Sequence, residues 1–174
     1  MSILPHQVVY GRNVYVAPTA YVGGDVVIGD DCTIMHHVTI RGDVAPIRLG
    51  NRVNIQDGCV LHCNRNVTLE LGDEVAVGHR AVVHCHRIGA GSLIGTGALL
   101  LDDAVVGCGC VVAPGAVLAP RSVVPDGMVA MGIPARIVRP VREPDRAYHA
   151  RVVQGYLTLG RRHAAGEYPH QPPE

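Results

Sequence analysis

An aliphatic residue recurs every six positions from Val16 to Val124, with three interruptions, and this period constrains the fold more than any other feature of the chain. Glycine directly follows many of these residues. A six-residue unit is too short for a pair of helices, and a regular glycine marks a corner at which a side chain would not fit. The repeat therefore predicts an all-β solenoid, a parallel β-helix of stacked coils. The aliphatic positions are Val16, Val22, Ile28, Ile34, Ile40, Leu49, Ile55, Leu61, Leu71, Val77, Val83, Ile88, Ile94, Leu100, Val106, Val112, Leu118 and Val124.

The period is interrupted at three places. Three extra residues occur near 44–46, four occur near 64–68, and one is missing before Ile88. Insertions in a solenoid generally leave the stack as loops, and loops carry function more often than the scaffold does. We therefore expect surface loops at both insertions.

The composition agrees with a stack of strands. The 174 residues suffice for one domain, and the apolar residues are mostly Val, Ile, Leu and Ala, without Phe or Trp. The N-terminal residues lack the features of a secretory signal, and no apolar run approaches the roughly 18 residues of a membrane span. We therefore expect a cytoplasmic protein without a membrane partner, whose six cysteines remain thiols.

The charged residues argue against nucleic acid as a partner and exclude catalysis by lysine. Fifteen basic and fifteen acidic residues give a formal net charge of zero, and the basic residues are scattered along the chain. Nucleic acid is therefore not an expected partner. Every basic residue is Arg, so a lysine Schiff base or a lysine general base is excluded.

The chain divides into a β-helix domain, residues 1–142, and a C-terminal segment, residues 143–174. From about Asp145 to His163 the apolar residues follow helical spacing, after a Pro-Asp pair typical of a helix start. We expect this helix to lie along the solenoid and to cover an apolar flank, with the remaining residues as a tail.

The period also predicts which side chains lie one above another. Every third unit lies on the same face, so Arg41, His62 and His84, which each follow an inward aliphatic residue, form one column. Successive coils are about 4.8 Å apart. His62 and His84 can therefore bind one metal ion.

A third histidine lies on a different face. His79 shares a column with His36 and Asp57, beside Gln56. Five extended residues separate His79 from His84 by about 16 Å, whereas two imidazoles that share a metal reach about 13 Å between their Cα atoms. A neighbouring subunit could supply His79, and three imidazoles with an open fourth position are the ligands of a hydrolytic zinc site.

Several short motifs resemble the gamma-class carbonic anhydrase family over nearly the whole chain to about residue 142. The resemblance implies a left-handed β-helix with three units per coil, assembled as a homotrimer. It implies that His62 and His84 of one subunit and His79 of the next bind Zn²⁺, with Fe²⁺ or Co²⁺ as alternatives. The motifs are Arg41-Gly42-Asp43, Asn54-Ile55-Gln56-Asp57, Val60-Leu61-His62, Val77-Gly78-His79, Val83-His84 and Gly132-Ile133-Pro134-Ala135.

The resemblance also implies a reaction, in which metal-bound hydroxide attacks CO₂, bicarbonate leaves and a proton is exported. In that mechanism Gln56 orients the hydroxide. Arg41, Asp43 and Asp57 join the subunits and position the site.

The sequence departs from active members of that family. Their acidic loop, in which a Glu carries protons, is reduced here to residues 63–68 without a carboxylate. His86, His36 or His37 are the candidate replacements, because histidine titrates near neutral pH. Ala130-Met131 stands where many relatives have a Tyr, so slow or absent CO₂ hydration stays open as an alternative to full activity.

Two other functions stay open at this point. One is an acyl-CoA thioesterase or a hexapeptide acyltransferase, because many hexapeptide proteins transfer acyl groups. The other is a non-catalytic assembly subunit that keeps its metal for stability.

Overall fold

The computed structural model of the protein describes residues 7–169, so residues 170–174 of the expected tail lie outside the described part. The described chain contains nineteen strands and one helix. The strands are β1 (Val8–Tyr10), β2 (Tyr15–Val16), β3 (Tyr21–Ile28), β4 (Thr33–Ile34), β5 (Thr39–Leu49), β6 (Asn54–Ile55), β7 (Val60–Leu61), β8 (Leu69–Leu71), β9 (Ala76–Val77), β10 (Val82–Val83), β11 (Arg87–Ile88), β12 (Leu93–Ile94), β13 (Leu99–Leu100), β14 (Val105–Val106), β15 (Val111–Val112), β16 (Val117–Leu118), β17 (Val123–Val124), β18 (Met128–Gly132) and β19 (Ala135–Pro140), and the helix is α1 (Glu143–Ala164).

The strands form three faces of a parallel β-solenoid of about seven turns. The first face contains the start of β5 with β7, β10, β13 and β16, and the second contains the end of β5 with β8, β11, β14 and β17. The third face is an eight-stranded sheet that contains β2, β4, β6, β9, β12, β15, β18 and β19. Leu61 pairs in parallel with both Ile40 and Val83, so every third unit lies on the same face. The predicted β-helix is confirmed.

The core consists of the inward aliphatic columns. Ile34, Ile55 and Val77 are fully buried and follow one another in register on the third face. Cys63 and Cys85 also point inward, each 1% exposed, because neighbouring residues of a strand face opposite sides. Burial raises the pKa of the Cys85 thiol to about 12, so this thiol remains protonated at neutral pH.

The loop expected at residues 44–46 does not form. These residues continue the strand β5, and Ala45 is 1% exposed within the core. The pairing of β5 with β3 shifts between Gly24 and Val26, so the extra residues form a bulge inside a paired strand. The side chains of β5 alternate between buried and more exposed positions through residues 44–46, so the inserted residues remain part of the sheet. Residues 64–68, in contrast, leave the stack as expected.

The solenoid continues beyond the last aliphatic position of the repeat. Val129 and Ala130 pair in parallel with Val111 and Val112, so β18 adds one more strand to the third face. The chain then reverses, and β19 pairs with β18 antiparallel. The hairpin covers this end of the sheet. No helix within residues 7–169 has the length and apolar character that a membrane span requires.

Helix α1 confirms the predicted helix and lies along the third face. Its first turn is held by Asp145, whose carboxylate accepts a hydrogen bond from the Arg142 backbone N–H (2.8 Å) and pairs with Arg139 (2.6 Å). These contacts lower the pKa of Asp145 to about 2. The helix contacts β2, β4, β6 and β9, and a Cβ atom added at Gly160 would lie 2.6 Å from Thr33 Oγ1.

We predict that Gly160→Ala lowers the free energy of unfolding by about 1–3 kcal/mol, because the added methyl group overpacks the contact between helix and face. The matched control is Gly155→Ala, on the same helix, where an added Cβ meets nothing within 4 Å. The control should gain about 0.5–1 kcal/mol from helix propensity. Urea unfolding followed by circular dichroism, at one protein concentration, measures both. Equal stabilisation by the two variants would show that α1 does not pack closely on the third face.

Candidate metal centre

His62 and His84 lie side by side on the first face. Each follows an inward aliphatic residue, Leu61 or Val83, and these two residues are paired in register. The His62 Nδ1 and His84 Nε2 atoms are 3.2 Å apart, and the ring centroids are 5.2 Å apart. The column expected from the repeat therefore brings two imidazole nitrogens to one point.

A carboxylate contacts the outer nitrogen of each ring. Asp43 Oδ1 lies 3.1 Å from His62 Nε2, and Asp102 Oδ1 lies 2.8 Å from His84 Nδ1. Arg41 donates to the other oxygen of Asp43 at 2.6 Å. Carboxylates of this kind fix the orientation and the tautomer of a metal-binding histidine. In the tautomer in which the outer nitrogens donate to these carboxylates, both inner nitrogens present lone pairs.

The electrostatics favour this arrangement of protons. Burial lowers the pKa of His62, with Arg41 and His84 acting in the same direction and Asp43 opposing them. The Arg41 hydrogen bond lowers the pKa of Asp43, and the His84 hydrogen bond lowers the pKa of Asp102. Burial thus favours the neutral form of His62 next to the ionised carboxylate of Asp43.

The pair of nitrogens fits a bound metal ion. Two neutral imidazoles whose protons are held elsewhere cannot hydrogen-bond to each other, and their facing lone pairs repel. A cation between them removes that repulsion. Two nitrogens at ordinary zinc distances in a tetrahedral site are about 3.3 Å apart, close to the separation found here.

His79 lies apart from this pair, at the corner that follows the third face. Its Nδ1 is 3.0 Å from Asp57 Oδ2, and its Nε2 is 3.3 Å from the Tyr156 hydroxyl of α1. The His79 side chain is 46% exposed. Within residues 7–169 of one chain, no three His, Cys, Asp or Glu side chains are arranged to hold a metal ion.

Gln56 is the buried polar residue of this corner, and its side chain is held by Asn54. The Gln56 Nε2 amide donates to Asn54 Oδ1 at 3.2 Å, and both residues are nearly inaccessible. Asn54 Nδ2 is buried without a hydrogen-bond partner among the described residues. Because Gln56 Nε2 is engaged, its Oε1 oxygen remains as the acceptor.

The three candidate proton carriers lie in different places. His86 is exposed in the bend between β10 and β11. His37 is an exposed turn residue, and His36 Nδ1 lies 2.9 Å from the Thr19 hydroxyl. None of these contacts links them directly to the pair of His62 and His84.

Two residues of the site were not identified from the sequence. Asp102 lies two residues after Leu100, which pairs with Val83, so it falls one position beyond the column of His62 and His84 in the next coil. Its place could have been found by examining the residues on both sides of that column position. Tyr156 had no such signal, because the repeat does not specify where α1 meets the solenoid.

Comparisons with known proteins first define the class. A family profile for the bacterial transferase hexapeptide (six repeats) matches residues 11–42. A crystal structure from Bacillus cereus that bears an acetyltransferase name has a TM-score of 0.89 and 33% identity, covering 92% of this chain and 94% of that one. The protein is thus a hexapeptide-repeat protein.

The sequence relatives are more specific. A carbonic anhydrase from Geobacillus kaustophilus is 42% identical over 87% of this chain and 83% of the relative. The mitochondrial gamma carbonic anhydrase 2 of Arabidopsis thaliana is 33% identical over 95% of this chain and 62% of its own length. The chain belongs to the gamma-class carbonic anhydrase family.

Proposed function

We propose that this protein is a zinc-dependent enzyme that hydrates CO₂ to bicarbonate, with its active sites between the subunits of a homotrimer. The observation that carries the proposal is the pair of facing nitrogens of His62 and His84, with a carboxylate oxygen next to the other nitrogen of each ring. Family membership supports the same reaction.

His62 and His84 of one protomer and His79 of a neighbour would hold the metal. Zn²⁺ fits three imidazoles, and Fe²⁺ or Co²⁺ accept the same ligands. When bound, the metal supplies the Lewis acidity that makes water nucleophilic near neutral pH.

The protein's own residues orient the reactants. Asp43 and Asp102 fix the rings of His62 and His84, and Asp57 does the same for His79. Gln56, anchored through its amide nitrogen, offers its Oε1 oxygen as an acceptor that orients the attacking water. Arg41 is a positioning residue, because it acts through Asp43.

The outer side of the first face supports assembly with further copies of the chain. Outward side chains of a solenoid are usually polar, yet Tyr21, Val60 and Leu99 are 56%, 38% and 36% exposed. They lie in one register, next to the column of His62 and His84. Contact with a second copy would bury this surface and bring a foreign His79 to the pair.

Acyl transfer is the second candidate, because the Bacillus cereus structure with an acetyltransferase name is similar over nearly its full length. A transferase base requires a histidine whose lone pair faces the acceptor. Here the inner nitrogens of His62 and His84 face each other instead, which favours the metal reaction.

We expect purified protein of known zinc content to accelerate CO₂ hydration in a stopped-flow assay, and chelation to abolish the acceleration. Acetyl-CoA hydrolysis and acetyl transfer to amines are measured on the same sample. A fully metallated protein that accelerates only acyl chemistry would replace the proposal by the second candidate. Inactivity in all assays would indicate the assembly role.

A site shared between protomers predicts complementation. His62→Ala and His79→Ala each remove one of the three metal ligands from every site, so each variant alone should lose zinc and activity. When the two are co-expressed in equal amounts, about one quarter of the sites combine an intact pair with an intact His79. Zinc content and activity should recover to that fraction. Failure of the mixed trimers to recover would contradict the shared site.

The carboxylate on His84 should strengthen metal binding. We predict that Asp102→Asn lowers zinc affinity about 10- to 100-fold, because the neutral amide holds the ring proton less firmly. Competition with a chromophoric chelator measures the affinity. The matched control is Asp103→Asn, at a turn residue with φ of 59° where Asn is tolerated, and it should bind zinc normally. Equal affinities would show that Asp102 does not support His84.

A further inference from the structure

A cavity of about 290 Å³ lies between the first turns of α1 and the third face. Helix α1 packs on β2, β4, β6 and β9, and the cavity lies next to these strands, against β12 and β15. The outward residues of these two strands, Leu93 and Val111, are half-buried and form its floor. Pro144, Tyr148 and Val152 of the helix form the opposite wall. We call this space the helix-side cavity.

Gln56 lies at the end of the helix-side cavity that is nearest to β6. Gly78 and Gly95 follow Gln56 in the same column on the next two coils, because the aliphatic residues before them are paired in register. Neither glycine has a side chain, so bare backbone extends from Gln56 over two coils, about 10 Å. A molecule in the cavity can therefore reach the Gln56 amide.

The Gln56 side chain offers one hydrogen-bond acceptor to the cavity. Its Nε2 donates to Asn54 Oδ1 at 3.2 Å, whereas its Oε1 accepts no hydrogen bond from any residue within 7–169. Gln56 is only 6% exposed, so Oε1 has room for one further donor. A nearly buried acceptor without a donor costs free energy, so a ligand hydroxyl group at this point would stabilise the complex.

The charges around the cavity favour a neutral ligand. No Arg or His side chain is among the lining residues of the described chain, so an anion would find no partner there. Asp145 is the charged residue of the lining. Its carboxylate is already engaged by the Arg139 guanidinium (2.6 and 3.0 Å) and by the Arg142 backbone N–H (2.8 Å). A cationic ligand would have to displace these contacts.

The size of the cavity narrows the class of ligand further. An apolar cavity of about 150 Å³ holds a single benzene ring. The helix-side cavity, at about 290 Å³, therefore admits one ring with a short alkyl chain. CO₂ has only three atoms and does not need such a space. Tyr148 in the wall favours an aromatic ligand, because aromatic rings gain from offset or edge-to-face contacts with one another.

We propose that the helix-side cavity binds a neutral alkylphenol, whose hydroxyl group donates to Gln56 Oε1 while its ring and alkyl chain fill the apolar space. Binding requires only the contacts described above. Its effect on CO₂ hydration rests on the proposed function. Because Oε1 has room for one donor, the bound phenol prevents Gln56 from orienting the attacking water. The cavity is thus an inhibitory site of the proposed enzyme.

Isothermal titration of the metal-loaded protein with 4-propylphenol tests the site. We expect one molecule to bind per protomer. The matched compound 4-propylanisole has the same ring and chain but no donor, and it should bind about 5- to 10-fold more weakly. Gln56→Met removes the acceptor, so it should weaken binding of the phenol by a similar factor and leave binding of the anisole unchanged.

Two substitutions fill the cavity from opposite walls. Val111→Phe, on the floor, and Val152→Phe, on the helix, should each lower the affinity for 4-propylphenol about tenfold or more, because the added ring occupies the space of the ligand. The matched control is Val105→Phe, at a half-buried outward valine of β14 on the second face, and it should bind the phenol normally. Equal zinc content and equal thermal unfolding midpoints establish that the variants are folded.

The inhibition is measured by stopped-flow CO₂ hydration. Saturating 4-propylphenol should lower kcat about tenfold in the wild-type protein and in Val105→Phe, because the attacking water is no longer oriented. Val111→Phe should keep its kcat in the presence of the phenol. Equal inhibition of Val111→Phe would place the phenol at the metal instead of the cavity and would overturn the inhibitory site.

The remaining outcomes separate the binding site from the reaction. Absence of binding at millimolar phenol, equal binding of phenol and anisole, or undiminished binding to both filled variants overturns the site. Binding without inhibition, in an enzyme that hydrates CO₂, overturns its inhibitory role. Binding to a fully metallated protein that does not hydrate CO₂ overturns the proposed function and leaves the alkylphenol site standing.

Discussion

The parallel pairing of successive coils is the constraint on which the rest of the structure depends. Backbone hydrogen bonds fix the coils at about 4.8 Å, so residues far apart in sequence but equivalent in the repeat are placed in contact. Gly78 shows how strictly the spacing is kept, because an added Cβ atom there would lie 2.7 Å from the Thr96 backbone nitrogen of the next coil. His79 directly follows Gly78, so the close packing of the coils at this corner fixes the backbone that carries its imidazole.

The same pairing explains how weak local forces produce a well-defined site. The contact between His62 and Asp43 is partly exposed, with side-chain exposures of 17% and 42%, and alone stabilises the fold little. Its value lies in orientation, because the backbone already holds both residues in adjacent coils. The bulge in β5 contributes directly, since it carries Asp43 at its start. A deviation from the repeat thus places the carboxylate that fixes the ring of His62.

Much of this arrangement is readable from the sequence because the period determines the columns. The proximity of His62 and His84, and the inward direction of Cys63 and Cys85, follow from counting units and from strand alternation. The sequence predicts a loop at residues 44–46 where the structure has a bulge, because the count of extra residues does not reveal that Ala45 and Ile47 remain buried. Side-chain alternation across the insertion carried that information.

The six-residue repeat does not predict the contacts that α1 makes with the solenoid. Tyr156 reaches His79, and His163 reaches His36, only because the helix runs along the third face at one particular height. That height is set by tertiary contacts such as Gly160 on Thr33 and Asp145 on Arg139, which have no period. This difference between the solenoid and the helix has a functional consequence. The rigid solenoid fixes the residues that would hold a metal, while the helix supplies side chains around His79 and His36. Changes in α1 can therefore alter the surroundings of the proposed site without disturbing the columns that build it.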